Sequence, residues 1–337
     1  MPGVRIRGIV PRMRRDDGPR FAVIGICTLR QVDAPSPEAQ LEDNLQMMDR
    51  MARVAEERGW RLDVALLPEV SFKFAEGNLR AAAEKLDGRT ATAIGEKARQ
   101  LGTYATAPIL RQSGGVVHNS LVLLGRAGRP VGVYDKVHPV MMRDGSLEFG
   151  IAPGREFPVF DLDFGRVGMQ ICWDVGFADG WQALANQDAE LVLFATNPAV
   201  PLALRGYAWK HGYYIAASTV HPIAPVVDPI GRILASSSGD REVVVVRVNL
   251  DYRVVHSNCM WDWSLDEHPE YAGRVKIEWD SEAHEYLVSS LESELPVHRF
   301  MEKEGLLTGR QRNGRNTELL MKARGGAPVV PPPVVRE

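Results

Sequence analysis

The chain has 337 residues, 45% of them hydrophobic and 25% charged, the composition of a globular protein with room for one large domain or two small ones. Its 40 Lys and Arg against 43 Asp and Glu give a formal charge of -3, so disorder throughout is excluded and no basic footprint invites nucleic acid or an anionic membrane. Three scattered cysteines, Cys27, Cys172 and Cys259, argue against a disulfide framework or a paired-cysteine metal site and for a reducing, cytoplasmic setting.

Residues 1–20 are rich in arginine and lack an apolar core, so they read as a flexible arm and not as a secretory signal. From Phe21 onward short β-rich runs alternate with helical patterns, the order of an α/β layer protein. Phe21 to Thr28 reads as a strand. Leu41, Leu45, Met48, Met51, Ala52 and Ala55 then recur at helical spacing, closed by Gly59. Leu62 to Pro68 is an almost wholly apolar strand, as a buried sheet strand should be, and Thr90 to Leu101 is a second helix with Gly102 behind it. Strands follow at Tyr104 to Leu110, Val116 to Leu124 and Val131 to Val137, parted by glycine-bearing turns. Arg166 to Cys172 and Leu191 to Thr196 flank a short helix near Asp179 to Gln187. Strands at Tyr213 to Thr219, Ala224 to Asp228, Arg232 to Ser236 and Glu242 to Leu250 close a domain spanning 21–251.

The remainder, 252–337, reads as a C-terminal extension. It opens with a charged segment carrying Trp261, Trp263 and Trp279, whose default role is packing. A helix is predicted over 282–295, stopped by Pro296. The last twelve or so residues are Pro-rich, cannot build a core and read as a disordered tail. No apolar run approaches the roughly 20 residues that cross a bilayer, and no fixed-period repeat is present.

Dinucleotide, P-loop, zincin and serine-hydrolase signatures are all absent from the sequence. What remains are three reactive residues at three strand ends: Glu69 in LLPEVSF, Lys136 in VYDKVHP and Cys172 in GMQICWD. The carboxyl ends of strands are where side chains gather around a ligand, so the three call for a joint reading. A thiolate at Cys172 is a strong nucleophile, its pKa expected to be lowered by the following helix N-terminus and by the Lys136 ammonium. That ammonium, with the backbone N–H of Trp173, suits an oxyanion. Glu69 would take the thiol proton, pass it to a leaving amine and then activate water.

PEVSF, YDKVHP and QICWDVGF, in that order and at agreeing separations, resemble the three catalytic motifs of the nitrilase (carbon–nitrogen hydrolase) superfamily. Flanking likeness at APG (152–154), FGRVGMQICWD (164–174), AELVLFATNP (189–198) and DPIGRILA (228–235) extends the resemblance over about residues 21–250. It implies an α/β four-layer α-β-β-α sandwich, with Glu69 as general base, Lys136 as electrostatic stabiliser and Cys172 as nucleophile. It further implies a second glutamate, assigned to Glu148 upstream of Pro153 although the local spacing is about one residue short. Pairing through helices beside the cysteine, into a homodimer or larger homo-oligomer, is implied as well. Two departures stand out: one short helix between Asn197 and Tyr213, with Lys210 and His211 where relatives carry Glu and Asn, and the long extension after Asp251.

Superfamily enzymes acting on nitriles tend to carry C-W-E. The sequence Cys172-Trp173-Asp174 therefore favours a small-molecule amide or N-carbamoyl substrate, with neither cofactor nor metal required. Trp173, Phe72, His138 and Asn197 are candidate substrate contacts, whereas Asp174 reads as a support for the loop after the nucleophile. His118, His211 and His221 have no ligand spacing. Three rivals are a nitrilase, a papain-like pairing of Cys172 with His211 or His221, and a non-catalytic scaffold on the same fold.

Overall fold

A computed structural model describes residues 20–30, 34–75, 78–260 and 262–325; Trp261, the expected arm other than Arg20 and the expected tail at 326–337 lie outside the described residues. The chain divides between Leu250 and Asp251 into two units.

The first unit runs β1 (Phe21–Cys27), α1 (Pro37–Glu57), β2 (Val64–Ala65), α2 (Leu79–Ala82), α3 (Arg89–Leu101), β3 (Tyr104–Ser113), β4 (Val116–Leu124) and β5 (Pro130–Asp135). It continues with β6 (Val159–Asp161), β7 (Arg166–Ile171), α4 (Ala178–Asn186), β8 (Leu191–Thr196), α5 (Pro201–His211), β9 (Tyr214–Thr219), β10 (Pro225–Val227), β11 (Ile233–Ser236) and β12 (Val243–Asn249). Helix α1 starts where Ser36 accepts the Ala39 N–H at 3.2 Å and Pro37 supplies a preset φ. Its buried stripe of Met47, Met48, Met51, Ala52 and Ala55 is the helical periodicity read from the sequence. Helix α3 stops at Gly102, whose φ of 63 is the left-handed cap that glycine adopts without strain.

Two six-stranded sheets result, in the orders β12-β1-β2-β3-β4-β5 and β11-β10-β9-β8-β7-β6. Helices α1 and α3 cover the outer face of the first, α4 and α5 that of the second. The inner faces are stitched together: Ser218 donates to the Leu66 carbonyl at 2.7 Å and accepts the Cys27 N–H at 3.0 Å. This is a four-layer α-β-β-α sandwich. Parallel pairing of β1 with β2, of β7 with β8 and of β8 with β9 brings the carboxyl ends of the central strands together in each sheet. The turns that leave those ends carry Glu69, Cys172 and Asn197.

One glycine supports that arrangement directly. Gly154 donates its N–H to the Lys136 carbonyl at 2.8 Å, and a Cβ on it would stand 2.1 Å from the Asp135 carbonyl oxygen. Gly154→Ala is expected to destabilise the protein by about 3 kcal/mol, since the backbone leading into Lys136 must move. Thermal melting of the variant beside the wild type checks the effect.

The second unit corrects two expectations. In place of the helix predicted over 282–295 there is a strand, β15 (Glu285–Ser290), paired antiparallel between β13 (Tyr252–His256) and β14 (Val275–Asp280). Its pairing buries Leu287 and Val288, and cross-strand packing overrides the local helical pattern. Pro296 does not stop a helix; it precedes α6 (Val297–Lys303), because a ring-fixed φ suits a helix start as well as a helix end. Val255, Tyr271, Val288, Val297 and Phe300 make a separate core. Trp263 stacks on His268 at 4.8 Å and donates to Glu304 at 2.9 Å, so it is packing. A final helix, α7 (Gly309–Arg324), buries none of its residues.

Candidate active site

The geometry brings four predicted residues to one place. The Lys136 ammonium, fully buried just after β5, lies 3.0 Å from Glu69 Oε1 and 2.8 Å from Glu148 Oε2. Cys172, directly after β7, lies beside the Glu69 carboxyl, the Lys136 ammonium and the backbone N–H of Asn197 at the end of β8. Glu148 reaches the site from a short helical turn (Glu148–Gly150) and also accepts the Val140 N–H at 3.3 Å.

Burial dominates the electrostatics. It raises the Glu69 carboxyl above the usual carboxylate range, opposed by Lys136 and reinforced by Glu148. It would lower the Lys136 ammonium, but Glu69, Cys172 and Glu148 outweigh it and hold that cation above its ordinary value. The thiol of Cys172 is pushed up to about 12, by burial and then by the neighbouring Glu69 charge, against the opposing pull of Lys136 and the Asn197 N–H. The expected lowering of this pKa is therefore corrected. The helical turn that begins at Cys172 is only five residues long, Cys172–Gly176, and a carboxylate lies beside the thiol. Cys172 rests as a thiol.

Cys172 also has a φ of 46, a left-handed conformation that strains a non-glycine residue by roughly 1–2 kcal/mol. Asp174 supports that corner. Fully buried, it accepts the Ile171 N–H at 2.9 Å, the Tyr134 hydroxyl at 2.7 Å, and both the backbone N–H and Nδ1–H of His138 at 3.0 and 2.9 Å. His138, a candidate substrate contact, is thus engaged elsewhere: its other ring nitrogen lies 3.3 Å from Asp179 and its ring stacks on Phe177 at 4.0 Å. The hydrogen bond to Asp174 raises its pKa. Asn197 contributes its backbone N–H while the residue itself is exposed. Trp173 is half-exposed beside the thiol, and Phe72 stacks on Phe149 at 4.7 Å. His211 stacks between Tyr207 and Tyr213, and His221 is exposed.

Asn119 is the site residue that sequence reading missed. From buried β4 its side-chain N–H donates to Glu69 Oε1 at 2.8 Å, while its carbonyl accepts the Lys136 N–H at 2.8 Å. Its own Oδ1 is buried without a partner. The available signal was the polar pair Asn119 and Ser120 directly before the apolar run Leu121 to Leu124 of the same strand. Among the described residues no group of three or more His, Cys, Asp or Glu is placed to hold a metal ion, and no helix is long and apolar enough to cross a membrane.

Comparison with known proteins bears on both fold and site. A family model described as carbon–nitrogen hydrolase matches residues 23–254. An omega-amidase of Danio rerio is 26% identical over 235 residues, covering 62% of this chain and 84% of that protein. A nitrilase of Pyrococcus abyssi is 31% identical over 170 residues, covering 49% of this chain and 62% of that protein. Among solved structures, a carbon–nitrogen hydrolase of Helicobacter pylori superposes with a TM-score of 0.59 at 17% identity, covering 68% of this chain and 90% of that one. A variant amidase of Nesterenkonia, described as carrying the acetamide moiety of fluoroacetamide on its active-site cysteine, gives 0.56 at 21% identity, with 78% and 99% covered. The structural likenesses establish an α/β fold of the nitrilase type. The chain belongs to the carbon–nitrogen hydrolase family, and is a hydrolase.

Proposed function

We propose that the protein hydrolyses the C–N bond of a small amide or N-carbamoyl compound through a thioester on Cys172. The observation that carries this reading is the buried Lys136 ammonium, bridging Glu69 and Glu148 beside the Cys172 thiol. Two of the three Lys136 N–H groups are committed to carboxylates, which leaves the third for an oxyanion. On Glu69, Asn119 and Lys136 both donate to Oε1, so Oε2 is left to take a proton.

In the proposed cycle, Glu69 removes the thiol proton as sulfur attacks the carbonyl, and the oxyanion is held by Lys136 and the Trp173 N–H. Collapse expels the amine, which receives the proton from Glu69. Water then enters, gives a proton to Glu69 and attacks the thioester, and the acid leaves as the thiol is restored. Glu148 holds Lys136 in place throughout.

The test is ammonia release from primary amides, N-carbamoyl amino acids and nitriles, with intact mass recorded. Turnover of an amide or N-carbamoyl compound with an acyl adduct on Cys172 is expected. Turnover of nitriles alone, or of no C–N substrate, overturns the reading.

Asn119 offers a pH test of the Glu69 role. Its N–H stabilises the ionised carboxylate, so Asn119→Ala raises the Glu69 pKa further. Because the base must be ionised, the acidic limb of kcat/KM is expected to move to higher pH by roughly one unit. A purely structural role for Asn119 would lower Tm and leave the limb in place.

A further inference from the structure

The reactive groups lie beneath large apolar side chains that their chemistry does not use. The hairpin delivering Glu148 is closed by its N–H to the Val140 carbonyl at 2.7 Å, by Met142 N–H to Ser146 at 2.8 Å, and by a bridge between Met141 and Leu147. Glu148 is buried, yet Met141, Leu147 and Phe149 around it are 73%, 40% and 44% exposed. Phe149 has a φ of 49, a conformation that a bulky residue adopts only under constraint. Its ring stacks at 4.7 Å and 20° on Phe72, from the loop that leaves Glu69. Trp173, next to Cys172, is 47% exposed. Glu69, Glu148 and Cys172 each therefore have a large apolar side chain within three residues, and two of these rings are stacked together.

Clustered exposed apolar side chains mark a binding surface, and here they sit next to the reactive groups on three separate chain segments. A carbonyl attacked by Cys172 would carry its substituent next to Trp173, the residue that follows the thiol. We propose that the rim formed by Phe72, Phe149, Trp173, Met141 and Leu147 is the acyl subsite, and that the substrates are primary amides of aromatic or extended aliphatic acids. The inference rests on the amide reading above and specifies its substrate class. Each methylene taken from water onto the rim raises kcat/KM about three- to fourfold until the rim is filled. A carboxylate at the same place would shed hydration onto apolar carbon with no compensation.

The experiment compares acetamide, butanamide, hexanamide, phenylacetamide and succinamic acid on the wild type, Phe149→Ala, Phe149→Leu and Phe72→Ala. A rise of tenfold or more from acetamide to hexanamide and phenylacetamide is expected, with succinamic acid no better than acetamide. The hexanamide-to-acetamide ratio should collapse in Phe149→Ala and Phe72→Ala and persist in Phe149→Leu. A flat series, or one led by succinamic acid, overturns the proposal, as does a flat series in which Phe149→Ala changes the oligomeric mass, since the rim is then an interface between copies. Calorimetry on Cys172→Ala separates this inference from the reaction it rests on. If the wild type hydrolyses none of the amides, the amide reading falls. Tighter binding of phenylacetamide than of acetamide and succinamic acid still supports the rim, and equal or absent binding overturns it.

Discussion

Cys172→Ala is expected to lose at least about 10⁴-fold in kcat/KM toward any C–N substrate, together with the acyl adduct seen by intact mass. The loss is large because Cys172 is the thiol beside the buried Glu69 and Lys136 pair. A second result follows from the state of the thiol. With its pKa pushed up to about 12, Cys172 holds almost no thiolate at neutral pH, so its proton must leave as the carbon–sulfur bond forms. Alkylation by iodoacetamide, followed as mass on Cys172, should be slow at pH 7 and climb steadily to pH 9 without a plateau. A plateau near neutrality would mean a stored thiolate, and Glu69 would then not be needed as the base for attack. Residual turnover in the alanine variant above a hundredth of wild type would remove Cys172 from the chemistry.

Lys136→Met is expected to damage both rate and stability. Glu69 and Glu148 remain buried, and the only ammonium bonded to either among the described residues is gone. Deleting one partner of a buried ionic group typically destabilises by about 3–5 kcal/mol, because the surviving charge stays out of water. The proposed oxyanion donor is lost as well, about 10²–10³ in rate for such a group. The sign of the pH effect follows from the cause of the Glu69 shift. Burial already raises this carboxyl and Lys136 opposes the rise, so removing the lysine raises it further. Residual activity should then fall away at higher pH than in the wild type. Lys136→Arg should not restore the rate, because a planar guanidinium does not match a site shaped around a compact ammonium. Wild-type kcat and Tm in Lys136→Met would eliminate Lys136 as stabiliser.

Much of the first unit was legible in the sequence, for a physical reason. Its central strands are buried on both faces, so they are runs such as LVLFAT and FAVIGIC that no helix or loop explains. Helices α1 and α3 advertise themselves by an apolar stripe and a cap. The 282–295 segment differs from expectation because its local pattern suits a helix, while its β13 partners lie 29 to 37 residues upstream, Glu285 opposite His256 and Ser289 opposite Tyr252. Pairing at that separation leaves little trace in a local window. Pro296 was ambiguous for the same reason: a fixed φ can end one helix or begin the next.

Glu69, Lys136 and Cys172 could be chosen from their places at strand ends and the order of their motifs. The sequence by itself determined the residue types and the alternation of strand and helix, and hence an α/β class, since burial patterns are written locally; the four layers came from the resemblance of its motifs. Only the tertiary structure decided the direction of the thiol's pKa shift, the hydrogen bond from Asn119 to Glu69 and the engagement of His138 by Asp174 and Asp179. Each depends on how far water is excluded and which charges come within about 3 Å, and such distances exist only once remote segments have packed together.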